Sequence, residues 1–178
     1  MHGYYQKNLK KWHKTLNSYM NYISYELESL TGQSYDTLIQ EIWTNYQVEM
    51  LERFPYIGGD AASGTKNLIG AYMFVSMGEV LKKYGVTTAQ RGHLMILIYE
   101  RQFTKIPSFL RSMMGKIFTN PRFLTKMFLK KDRKNALNAA QNPGSFETQT
   151  QIPPEKGYDF SYHNLVSPLA DFAKKYGY

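Results

Sequence analysis

Pro55-Tyr56-Ile57-Gly58-Gly59, followed after a short polar loop by Thr65-Lys66-Asn67-Leu68-Ile69-Gly70, reads as a glycine turn feeding a helix that is apolar nearly all round. The first turn of any helix carries backbone N–H groups without intrahelical partners. Inside a core, such an end suits an anion or a carboxylate, which the helix dipole also favours. Gly59, Gly64, Thr65 and Lys66 have a passing likeness to a phosphate loop. That loop needs glycine, lysine and then serine or threonine after a strand, whereas the order here is Gly64-Thr65-Lys66 after an element that reads as a helix. Nucleotide triphosphate binding is therefore not expected. Gly58, Gly59, Thr65, Lys66 and Asn67 stand as the candidate binding group for a small carboxylate.

Working outward, the helix that opens at Thr65 runs to about Tyr84, with Gly85 as its C-terminal left-handed residue. Gly70, Ala71 and Gly78 among larger apolar residues suggest close helix–helix approach. Thr87 and Gln90 form a capping-box pattern for the next helix, in which Leu94 to Tyr99 is again apolar on every side. These two helices are the expected core. Upstream, Tyr5, Leu9, Trp12, Leu16, Tyr19, Ile23, Leu27 and Leu30 alternate steps of four and three, predicting a helix from about Tyr4 to Leu30 that Gly32 ends. Ser34 then caps a helix that runs to about Phe54, where Pro55 disfavours helix at the preceding residue. Its apolar stripe is Leu38, Ile39, Ile42, Tyr46, Met50 and Leu51.

Downstream, Ile106-Pro107 breaks the pattern, and two basic amphipathic helices are predicted near Ser108–Phe118 and Pro121–Gln141, the second capped by Asn120. Asn142-Pro143-Gly144 is a turn. The period then changes to two. Phe146 to Ile152 and Tyr158 to His163 read as strands around Pro153-Pro154-Glu155-Lys156-Gly157, and Ser167-Pro168 opens a last helix. The expected fold class is therefore α+β and predominantly helical, with six to seven helices and a small C-terminal antiparallel hairpin. The expected organisation is one domain over 1–178, with a helical core over 4–141 and the hairpin and last helix over 145–178.

Composition bounds the chemistry. The 178 residues are 43% hydrophobic and 15% aromatic, which argues against disorder. The absence of cysteine excludes disulfides, thiolate metal sites and a cysteine nucleophile. No signal peptide is visible, and Leu68 to Met77, the longest apolar run, is far short of the roughly 20 residues a spanning helix needs. A soluble, cytoplasmic protein is the expectation. The net charge is +8, and Lys105 to Lys134 carries nine basic residues against one acid, Asp132, so this segment holds the whole excess. Its Met and Phe positions suggest core or an adaptable lid. A basic amphipathic pair can also rest on an anionic membrane. No recognition-helix or RNA-binding signature accompanies it, so nucleic acid is not expected. Nothing in the sequence sets the oligomeric state.

Two further groups could carry chemistry. His93 and Glu100 are seven residues apart and share a helical face, so Glu100 is a candidate general base if it points into a cleft. Asp159 and His163 fall on one face of the second predicted strand, with Tyr162 opposite. A carboxylate and an imidazole there could relay protons or bind a divalent metal, although spacing names no third ligand.

Pro55 to Gly59, Thr65 to Gly70, Val80-Leu81-Lys82-Lys83-Tyr84-Gly85, Tyr158 to His163 and Phe172-Ala173-Lys174-Lys175-Tyr176-Gly177 together resemble the L-2-amino-thiazoline-4-carboxylic acid hydrolase family. The first block is the distinctive one. The resemblance covers most of the chain, and family members would be expected to continue beyond Tyr178. It implies hydrolysis of a cyclic amidine-type C–N bond in a small substrate that bears a carboxylate, opening a thiazoline ring toward an N-carbamoyl amino acid. Glu100, Asp159 and His163 are then the catalytic candidates by chemistry, with Tyr162 beside the substrate and no cofactor identified. The alternative is a non-catalytic domain, a diverged or shortened relative, that binds a small anion or a partner. Membrane-surface attachment through residues 105–134 is a third reading.

Overall fold

The computed structural model describes residues 1–61, 65–152 and 161–177, with backbone alone at 61, 65–69 and 169. The fold is predominantly helical α+β, with one two-stranded antiparallel sheet near the C-terminus. The chain divides into two compact units, Met1–Pro55 with Ile69–Ile106, and Tyr56–Leu68 with Pro107–Tyr178.

The first unit contains α1 (Gly3–Met20), α2 (Ser24–Thr31), α3 (Tyr35–Asn45), most of α4 (Thr65–Lys83) and α5 (Thr88–Thr104). The long N-terminal helix expected from the sequence is interrupted by a tighter turn at Asn21–Ile23, separating α1 from α2. The interruption keeps both Met20 and Ile23 fully buried. Gly32, at φ +68°, ends α2 in the left-handed conformation that a side chain would resist. Ser34 caps α3 by accepting from the Thr37 N–H. Beyond α3 the helix widens to a π turn over Tyr46–Leu51, with Glu52 N–H donating to Gln47 C=O at 3.1 Å. Tyr46, Met50 and the adjacent Leu51 are all buried there.

Buried apolar side chains from every one of these helices fill the interior: Tyr5, Trp12, Leu16, Leu27, Leu38, Ile42, Met73, Met77, Leu81, Leu94 and Ile98 are representative. Each fully buried large side chain stabilises by about 1.5–3 kcal/mol relative to exposure. The α4 residues Tyr72, Met73, Phe74, Ser76, Met77, Val80 and Leu81 are buried, as its all-round apolarity predicts. The same expectation fails for α5. Only Leu94 and Ile98 are buried, while Ile96, Tyr99 and Phe103 are exposed. α5 is a surface helix whose outer apolar positions stay exposed, although Tyr99 keeps a ring contact with Phe74 of α4, centroids 5.7 Å apart. Close approach through glycines is likewise absent at Gly70, where an added Cβ would meet nothing within 4 Å.

The second unit contains the Gly58–Gly59 loop, α6 (Ser108–Phe118), α7 (Pro121–Gln141), β1 (Glu147–Gln151), β2 (Ser161–Val166) and α8 (Pro168–Tyr176). Asn120 caps α7 by accepting from the Phe123 N–H, with Pro121 at the first helical position. β1 and β2 pair antiparallel, with Thr150 opposite Tyr162 and Gln149 opposite His163. β2 runs on to Val166, past the His163 end expected from the sequence, because Glu147 and Thr148 pair with Val166 and Asn164. Asp159, Tyr158, Phe160 and the Pro153–Gly157 loop lie outside the described residues.

Candidate functional site

The glycine loop is fixed by a buried amide. Gly58 and Gly59 are buried at φ +97° and +53°, both in the left-handed region. On α7, Asn138 is 5% exposed, and its Nδ2 donates to Ile57 C=O and to Ser145 Oγ, each at 2.9 Å. Asn142 Nδ2 in turn donates to Asn138 Oδ1 at 3.2 Å. A Cβ added at Gly58 would fall 2.0 Å from Asn138 Oδ1, so glycine is required by both space and conformation. The loop preceding α4, the end of α7 and the turn before the hairpin therefore meet at one side chain. Thr65, Lys66 and Asn67 follow in the first turn of α4, their side chains outside the described set.

A second polar network holds the hairpin on α7. Thr148 Oγ1 donates to Asp132 Oδ1 and the Thr150 N–H donates to Asp132 Oδ2, both at 2.7 Å, while Asn135 Nδ2 donates to Thr148 Oγ1 at 2.9 Å. This explains how so polar a strand, Glu147-Thr148-Gln149-Thr150-Gln151, docks on a helix. Tyr162 packs on Phe128 with ring centroids 4.5 Å apart, and Lys131 Nζ lies 5.0 Å from the Tyr162 centroid. Among the described residues, Tyr162 OH and Thr150 Oγ1 are buried atoms without a hydrogen-bond partner, on residues directly opposite each other in the sheet. An orphaned buried hydroxyl costs about 1–3 kcal/mol, so such atoms mark a place where a ligand or water oxygen would be favoured. His163 is exposed on the other face of β2.

Glu100 is exposed on α5 in the first unit, beside a shallow apolar depression of about 380 Å³ lined also by Tyr99, Gln102, Phe103 and Ile106. Gly58, Gly59, Tyr162, His163 and the backbone of Thr65–Asn67 belong to the second unit, so Glu100 is not in the same unit as the other candidates. Its neighbour Arg101 is not paired with it. Arg101 forms a two-pronged ion pair with Glu26 on α2, at 3.0 and 2.5 Å, and donates to Tyr22 C=O. The Arg101 guanidinium holds the Glu26 carboxyl below its ordinary range. His93 lines a separate groove of about 390 Å³ between α2 and α5, with Tyr25, Glu26, Leu30, Gln90 and Leu94. No group of three or more metal-ligating side chains occurs among the described residues.

Sequence reasoning missed Asn138 and Asp132. A signal was present: Leu124, Phe128, Lys131, Asn135 and Asn138 continue one α7 stripe in steps of four and three, turning from apolar to polar toward its end. Asparagine is a weak helix former, and two on the inward stripe mark a face that binds polar groups. Comparisons with protein-family models, with curated proteins and with solved structures found no match for this chain.

Proposed function

We propose that the protein hydrolyses a small cyclic amidine that carries a carboxylate, the chemistry implied by its resemblance to the L-2-amino-thiazoline-4-carboxylic acid hydrolases. The observation that carries the reading is the pinned loop: Gly58, left-handed and buried beneath the Asn138 amide that bonds Ile57 C=O, lies shortly before α4 in sequence. The start of α4 carries backbone N–H groups without intrahelical partners, which favours an anion there. Thr65, Lys66 and Asn67 take the substrate carboxylate in this reading. Water adds at the amidine carbon, the ring carbon–sulfur bond breaks, and the proton lost by water ends on the leaving sulfur, so the amidine carbon becomes the carbamoyl carbonyl. His163, exposed on β2, is the imidazole that carries that proton in this reading, and Asp159 lies outside the described residues. The orphaned hydroxyls of Tyr162 and Thr150 add hydrogen-bonding capacity in the same unit. Glu100 is assigned no step.

The test is incubation of the full chain with 2-amino-thiazoline-4-carboxylate and with the analogue lacking the carboxylate, followed by mass spectrometry for addition of one water. Turnover of the carboxylate alone is expected, abolished by His163→Ala and raised in KM by Lys66→Ala. Exposure of His163 favours one rival, a non-catalytic anion-binding domain. That rival predicts saturable thermal stabilisation by small carboxylates without turnover. Absence of both effects overturns the carboxylate site altogether.

A further inference from the structure

We propose that the α6–α7 hairpin is a docking surface for an anionic lipid bilayer. The inference uses none of the residues assigned to the hydrolytic reading. It begins from an anomaly of burial. α6 has no buried residue, although Phe109, Leu110, Met113, Met114, Ile117 and Phe118 make up most of its large side chains. Phe109 is 69% exposed, Met113 50% and Phe118 53%. Phe109, Met113 and Ile117 are spaced four apart and line one side of the helix. α7 presents a matching outer stripe, Phe123, Met127, Lys130, Lys134 and Leu137, in steps of four and three. All five are exposed.

Charge then selects the occupant. Lys116, Arg122, Lys126, Lys130, Arg133 and Lys134 are all exposed on this hairpin, and none takes part in an ion pair among the described residues. The one acid of the segment, Asp132, is turned to the hairpin strands and accepts from Thr148 and Thr150. A surface of exposed Phe and Met interleaved with uncompensated lysine and arginine complements a bilayer of anionic lipid. The rings enter the boundary between headgroups and chains, the lysine stems extend along them, and the ammonium groups meet phosphates. The helices lie in that boundary and do not cross it: α6 has 11 residues, and among the described residues no helix is long and apolar enough to span.

Sedimentation of the full chain with phosphatidylcholine vesicles, with and without phosphatidylglycerol, tests the proposal. Binding should require phosphatidylglycerol and weaken as salt rises. The double variant Lys126→Glu with Lys130→Glu should lose at least about 25-fold in partitioning, from roughly fivefold per cation removed. Phe109→Ser with Phe123→Ser should also weaken binding, with a circular dichroism spectrum like that of the parent, because both side chains already face solvent. Equal binding to neutral vesicles, or none to anionic vesicles at low salt, overturns the proposal. So does dimerisation without vesicles that Phe109→Ser abolishes, which would give this face to a second copy of the chain. Turnover is measured without lipid, so failure here leaves the hydrolytic reading untouched, and the converse holds.

Discussion

The two units are held by different physics. In the first, the large buried side chains are almost all apolar, from Tyr5 and Leu16 through Ile42 and Met73 to Ile98. In the second, the buried side chains among the described residues include Ile57 and Phe172 but also Asn135, Asn138 and Ser145. Apolar burial is non-directional and tolerates small rearrangement. A buried amide network is directional, and it fails when one partner is misplaced. The first unit is thus built to be stable, and the second to hold a loop and a hairpin at set positions.

The largest expected effect probes the apolar side of that contrast. Leu16→Ala should cost about 2–5 kcal/mol in denaturant unfolding, the usual loss plus cavity for a fully buried leucine. Hydrogen exchange should report the loss chiefly at α1 and α3 amides. An equal fall at the β1 and β2 amides would break the division into differently held units. Next comes Gly58→Ala, where the left-handed φ of +97° and the approach of Asn138 act together. A loss of about 2–3 kcal/mol is expected, with carboxylate binding weakened at least as much as stability. Binding retained at full strength would separate the loop from the site.

The smallest effect belongs to the exposed Glu26–Arg101 pair. The Glu26 carboxyl is lowered in the folded state by Arg101, so the unfolded chain binds its proton more readily. The contribution is therefore complete above the ordinary glutamate range and disappears as pH falls through the lowered folded value. Thermal melts should show Glu26→Gln below the parent by no more than a few degrees at neutral pH and converging with it below about pH 4. Divergence that grows toward acid would contradict this sign.

What the sequence disclosed follows the range of the interactions. Caps were legible because they are local. Gly32, Ser34, Thr87 with Gln90, Asn120 with Pro121, and Ser167 act within a few residues, and all serve as expected. The hairpin was legible from the change of period, although cross-strand pairing carried β2 to Val166. Burial was less legible. Apolarity cannot say whether a partner covers a face, and Ile96, Tyr99 and Phe109 are exposed for that reason. The glycine loop was recognised as special, but its anchor was not, because Asn138 is remote from it in sequence. Glu100 and His163 were grouped by chemistry alone, and contact topology assigns them to different units.

That remoteness has a consequence in time. The bond from Asn138 to Ile57 joins positions 81 residues apart. At roughly 5–20 residues per second, a ribosome would need on the order of ten seconds to add the anchor after the loop. Until then Gly58 and Gly59 lack the amide that fixes them, and closing so long a segment carries its own entropic cost. Fixing of the glycine loop is thus a late event in the life of each nascent chain, and it depends on α7 having been made.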